Sequence, residues 1–135
     1  MSLSRQQRFP RSSASVGGAR AFVVRALMEW GLSERGDDIR LCVSELATNA
    51  LLHGVPPGRE FAVRLTLDGG SLRIEVRDSG GGSPEARQPD PCAPTGRGLY
   101  LVRALADDFG VTEHRVGKTV WVAFKGVGCD GGRGA

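Results

Sequence analysis

Glu45-Leu46-Ala47-Thr48-Asn49-Ala50-Leu51-Leu52-His53-Gly54 is the stretch whose reading decides the fold. Wound as a helix at about 100° per residue, it sets Glu45 and Asn49 one turn apart on one line. Leu41 and Leu52 fall on one flank, and Cys42, Leu46 and Ala50 on the other. Two polar side chains therefore stand inside an apolar arc, where an amphipathic helix normally turns its carboxylates to the opposite, solvated side. A carboxylate desolvated without a partner is costly. The position thus predicts one of two things: an internal partner, arginine or backbone, or a functional group held ready for a ligand.

Outward toward the N-terminus, this helix is expected from about Asp37 to His53. Asp37 and Asp38 complement the positive end of its dipole, and Gly54 with Pro56-Pro57 ends it. His53 has three readings: a phosphate-side ligand, a phosphoacceptor, or a cation complementing the helix C-terminus. Upstream, Val16, Ala19, Val23, Ala26, Leu27 and Trp30 recur at helical spacing, with Ser12, Ser13 and Ser15 as cap candidates and Gly31 as the stop. Gly17-Gly18 weakens the first turn, either as an imperfection or as room for a close neighbour. Arg8-Phe9-Pro10 reads as a short extended piece, and residues 1–7 as a flexible N-terminus.

Toward the C-terminus the period changes to two. Phe61, Val63, Leu65 and Leu67 alternate with polar residues, Asp68-Gly69-Gly70 makes a turn, and Leu72, Ile74 and Val76 alternate in their turn, which predicts a β-hairpin. Continued, the alternation puts Asp78 on the buried face, a second inward carboxylate. It opens Asp78-Ser79-Gly80-Gly81-Gly82, either a plain turn or a loop whose backbone can lie against a flat ligand. Residues 83–95 hold four prolines and no periodicity, the mark of a long loop or lid. Gly96-Arg97-Gly98-Leu99 then leads into a helical stripe of Leu99, Val102, Leu105, Ala106 and Phe109. A glycine pair opening a helix offers free N–H groups to phosphate; the other reading is a hinge. Strands over 111–116 and 119–124 follow, joined at Gly117-Lys118, and 126–135 reads as a disordered, Gly-rich tail.

At 135 residues and 40% hydrophobic, the chain has enough material for one domain with its own core. Its charge of +3 is spread over arginines interleaved with acids, and only 6% of residues are aromatic. No basic stripe with stacking rings appears, which argues against direct nucleic-acid binding. No run reaches the roughly 18 apolar residues of a membrane span, and the start lacks the apolar segment of a secretory signal, so a cytoplasmic location is expected. Cys42, Cys92 and Cys129 fit neither a disulfide framework nor zinc spacing and read as reduced thiols.

The order of these signals is more specific than any one of them. An inward Glu/Asn pair, then Asp-x-Gly-x-Gly ending a strand, then a long loop, then Gly-x-Gly-Leu opening a helix, resembles the GHKL superfamily of ATP-binding domains. Within it, Ser44-Glu45-Leu46-Ala47-Thr48-Asn49-Ala50-Leu51-Leu52-His53-Gly54 is most similar to the bacterial anti-sigma-factor serine/threonine kinases, over residues 8–125. The resemblance implies a Bergerat-type α/β (α+β) two-layer sandwich, a mixed, largely antiparallel sheet with the helices on one face.

By the same resemblance, ATP and Mg²⁺ are the cofactors. Glu45 matches the general base, Asn49 the Mg²⁺ ligand, and Asp78 the acceptor of the adenine amino group. Gly80 and Gly82 match the loop along the base; Gly96, Arg97, Gly98 and Leu99 match the turn over the phosphates. Arg97 reads equally as a γ-phosphate clamp or an exposed loop arginine. Where the family often has Thr directly after a glycine near the last strand, Lys118 follows Gly117 and Thr119 comes one later, which puts an adenine contact by Thr119 in question. The implied activity is phosphorylation of a small anti-sigma-factor antagonist, with sequestration of a sigma factor and a possible homodimer. The alternative is a nucleotide-dependent binding module without kinase activity.

Overall fold

The hairpin alternation sets the centre of the molecule. The computed structural model describes residues 2–32, 35–51, 59–78, 101–115 and 117–127. Strand β1 spans Ser2–Pro10, helices α1 and α2 span Ala14–Glu29 and Gly36–Asn49, and β2 and β3 span Glu60–Asp68 and Ser71–Asp78. Strands β4 and β5 follow at Asp108–Glu113 and Lys118–Phe124. The sheet order is β1-β2-β3-β5-β4. Every described pairing is antiparallel, which agrees with the expected largely antiparallel α+β sandwich; none of the described pairs is the parallel one that a mixed sheet would contain.

Phe61, Val63 and Leu65 of β2, Leu72, Ile74 and Val76 of β3, and Val120, Val122 and Phe124 of β5 share one buried cluster with α1 and α2. Val23, Ala26 and Leu27 of α1 and Ile39, Cys42, Val43 and Leu46 of α2 complete it. The helices pack on each other, α1 also against β1 and α2 against β3. At the end of α1, the Leu32 N–H donates to the Leu27 carbonyl and the Gly31 N–H to that of Met28. Gly31 sits at φ +74°, and Leu27 and Leu32 are both buried, so the left-handed glycine stop also closes a hydrophobic contact. Burial pushes the Cys42 thiol up to about 12, with the Asp38 charge adding to it. No helix among the described residues is long and apolar enough to cross a membrane.

Several boundaries differ from the sequence expectation, among them the end of β4 at Glu113 instead of 116. Residues 2–7, expected to be flexible, belong to β1, whose ladder with β2 runs from Ser2–Asp68 to Pro10–Glu60. Only Phe9 of β1 is buried, so no apolar alternation announces the strand; backbone pairing holds it. Phe109, placed in a helical stripe, is in β4 opposite Val122; helical winding is present at 101–105, and the strand starts at Asp108. Val127, assigned to the disordered tail, is buried and donates its N–H to the Gly70 carbonyl. Residues 128–135 lie outside the described residues.

Candidate functional site

Helix α2 and the ends of β3 and β5 supply the described part of the site. Asn49, in the last turn of α2, is 8% exposed, and its carboxamide makes no hydrogen bond with any described residue. A buried amide without partners costs about 1–3 kcal/mol, so the position is one that a ligand would relieve. Glu45 lies one turn earlier and is half-buried. It makes no ion pair or hydrogen bond with the described residues, so the arginine or backbone partner of the structural reading is not found among them. The flank differs from expectation at Leu41, which is 40% exposed and so marks the rim of the apolar arc. Directly after Asn49 the winding loosens to π type at residues 50 and 51, a departure frequent at functional sites.

Asp78 ends β3 on the buried face, as the alternation requires, and is 4% exposed. Its Oδ1 accepts the Lys118 backbone N–H at 3.1 Å, and its Oδ2 accepts from the Lys118 ammonium, also at 3.1 Å. The two side chains are 16% and 4% exposed, so this is an inward ion pair with the carboxylate held at both oxygens. Breaking such a pair by removing one partner costs about 3–5 kcal/mol. A hollow of about 270 Å³ lined by Arg8, Arg59, Glu60, Phe61, Ala62 and Arg77 also reaches Asp78; neither Lys118 nor α2 lines it.

Thr119 does not join this group. The strand period puts Lys118, Val120, Val122 and Phe124 on the helix side and Thr119 on the other face with Trp121. The Thr119 hydroxyl lies 2.7 Å from His114 Nε2. The side chain that faces Asp78 is Lys118, and Thr119 stands on the opposite face, in keeping with the doubt its spacing raises about an adenine contact. The missed residue had a legible signal, because counting back by twos from Phe124 arrives at Lys118. His53, Gly80, Gly82, Gly96, Arg97, Gly98 and Leu99 lie outside the described residues.

The histidine kinase-like ATPase domain model matches residues 9–124, which take in both helices and β2 to β5 but only the last two residues of β1. The chain belongs to this family. Within the family it is similar to the anti-sigma F factor of Geobacillus stearothermophilus, 30% identical over 103 residues, 69% of this chain and 70% of that protein. A second anti-sigma F factor, from Geobacillus kaustophilus, is 31% identical over 98 residues, covering 65% and 66% of the two chains. Among solved structures, the RsbU and RsbW domains of a Mycobacterium tuberculosis protein superpose with a TM-score of 0.70 over 91% of this chain, at 21% identity. That likeness concerns the fold, and this chain spans 32% of the mycobacterial chain. The histidine kinase domain of an Erythrobacter litoralis blue-light activated kinase gives a TM-score of 0.52 at 28% identity, covering 68% of this chain and 45% of that one. This ATPase domain is thus a GHKL domain similar to the anti-sigma F factors, and the family implies ATP as its ligand.

The residues present fit that ligand. Asn49 offers a buried amide oxygen without a described partner, suited to a hard cation. Asp78 offers an inward acceptor for an exocyclic amine. Glu45 stands on the same helical line as Asn49, half-buried, with a carboxylate that no described residue engages.

Proposed function

We propose that the chain is an ATP-dependent serine/threonine kinase of the anti-sigma-factor type, which phosphorylates a small antagonist protein and, in its other state, sequesters a sigma factor. What supports the reading is the i, i+4 pairing of half-buried Glu45 with the buried, unpartnered carboxamide of Asn49, on a helix packed against the strand that ends in buried Asp78. Similarity to the anti-sigma F factors supplies the partner class.

Asn49 would hold Mg²⁺, which when bound neutralises charge on the phosphates during transfer. Asp78 accepts a hydrogen bond from the adenine amino group and fixes the base. Glu45 accepts the proton of the attacking serine or threonine hydroxyl as that oxygen bonds to the γ-phosphorus; the bond from that phosphorus to ADP breaks, and ADP leaves with the electron pair. The proton ends on the Glu45 carboxylate.

Glu45→Ala and Asn49→Ala separate these roles. With nucleotide and antagonist binding measured on the same preparations as single-turnover transfer, Glu45→Ala retains binding and loses roughly 10²–10⁴-fold in transfer rate. Asn49→Ala loses transfer, and its ATP affinity stops responding to Mg²⁺. Parental transfer by Glu45→Ala removes the base assignment. ATP-modulated partner binding with no transfer by the parent gives the result to a binding module.

A further inference from the structure

We propose that Lys118 reads the nucleotide base: beside Asp78, its ammonium donates to a ring-nitrogen acceptor next to the exocyclic amine that Asp78 takes. The inference rests on the nucleotide reading above and deepens it. Lysine normally carries its charge into solvent, yet the Lys118 side chain is 16% exposed and turned inward onto a carboxylate that is 4% exposed. An ammonium has three donors, and Asp78 Oδ2 takes one of them. The backbone N–H of Lys118 holds the other carboxylate oxygen, so one residue fixes the acceptor and also places a donor next to it.

An acceptor and a cationic donor thereby stand side by side, 3.1 Å apart. Adenine has the complementary edge, an amino donor followed by the N1 acceptor. A 6-keto purine reverses that order, with an acceptor at position 6 and a donor at N1, so the pair also selects against it. A threonine hydroxyl can donate or accept and would leave the order unspecified; the ammonium can only donate.

The test is calorimetry on the full chain with Mg²⁺ and three nucleotides: ATP, 1-deaza-ATP, in which N1 is replaced by C–H, and 7-deaza-ATP, which keeps N1. A hydrogen bond to a charged donor corresponds to about tenfold or more in affinity, so 1-deaza-ATP should bind at least about tenfold more weakly than ATP, while 7-deaza-ATP binds nearly as well. In Lys118→Met the ATP to 1-deaza-ATP ratio should fall to near one. Lys118→Gln keeps a neutral donor for Asp78, covers the case in which Met is not tolerated, and should lower the ratio severalfold. Equal binding of ATP and 1-deaza-ATP by the parent, or an unchanged ratio in the variants, overturns the role of Lys118 while leaving the nucleotide site standing. A parent that binds no ATP overturns both, which is a different result.

Discussion

At the scale of single residues, the chain uses inward polar groups in two ways. Asp78 and Lys118 satisfy each other, whereas the Asn49 carboxamide has no described partner. Asp107, an exposed carboxylate, serves structure alone. Its carboxylate accepts the Lys125 N–H at 2.7 Å and the Arg35 guanidinium at 2.5 Å, and these, the backbone bond first, hold its carboxyl below the usual 3.8. Arg35 also donates to the Leu105 carbonyl and lies over the Phe124 ring, so one residue at the start of α2 ties residues 105–107 to the end of β5. Because the folded value is depressed, the stabilisation is present above the unfolded value near 3.8 and is lost as pH falls through the folded one. Asp107→Asn should therefore melt below the parent at neutral pH, by a small margin because the pair is exposed. The two melting curves should converge below pH 3.8. A gap that persists at low pH would assign the loss to packing instead of charge.

At the scale of elements, β1 and the β4–β5 hairpin carry the arguments that apolar patterns miss. β1 has one anchor, Phe9, whose ring stacks on Phe61 at 5.7 Å and meets Phe22 edge-on at 6.0 Å. Arg5 adds an ion pair with Glu29 and lies over Trp30. On the other face, Trp121 covers Gly110, where an added Cβ would come within 2.5 Å of the indole; any side chain there would displace the ring, and with it the Arg73 guanidinium 4.0 Å from its centroid. Phe9→Ala should cost about 3–5 kcal/mol and strip hydrogen-exchange protection from β1 before β3. Deleting residues 2–7 should also lower the melting temperature, since it removes most of the pairing to β2. A truncated chain that melts like the parent would return these residues to the flexible N-terminus that their polar sequence suggests.

At the scale of the whole molecule, what could be read from sequence follows from how each element is held. The β2–β3 hairpin and α1 were legible because their buried faces repeat at a clean period. β1 was not, since backbone pairing and a single ring secure it. Phe109 fitted both periods, and the helical one extended a stripe that the sheet interrupts. Alternation alone puts Asp78 on the buried face; it puts Lys118 there too, whereas the family pattern points to Thr119, on the opposite face. Asn49 is where sequence and structure together make the sharpest demand. A buried amide without a described partner lowers the stability of the free protein, and a ligand that engages it should return that free energy. At a free concentration of Mg-ATP one hundred times its Kd, mass action adds about 2.7 kcal/mol, or roughly 10 °C in melting temperature for a domain of this size. Asn49→Ala should lose most of that shift, yet melt no lower than the parent without nucleotide, because relief of the stranded amide offsets the small loss of packing. A structural Asn49 gives the opposite pair of results in the same calorimeter: a free protein that melts early, and a nucleotide shift as large as the parent's.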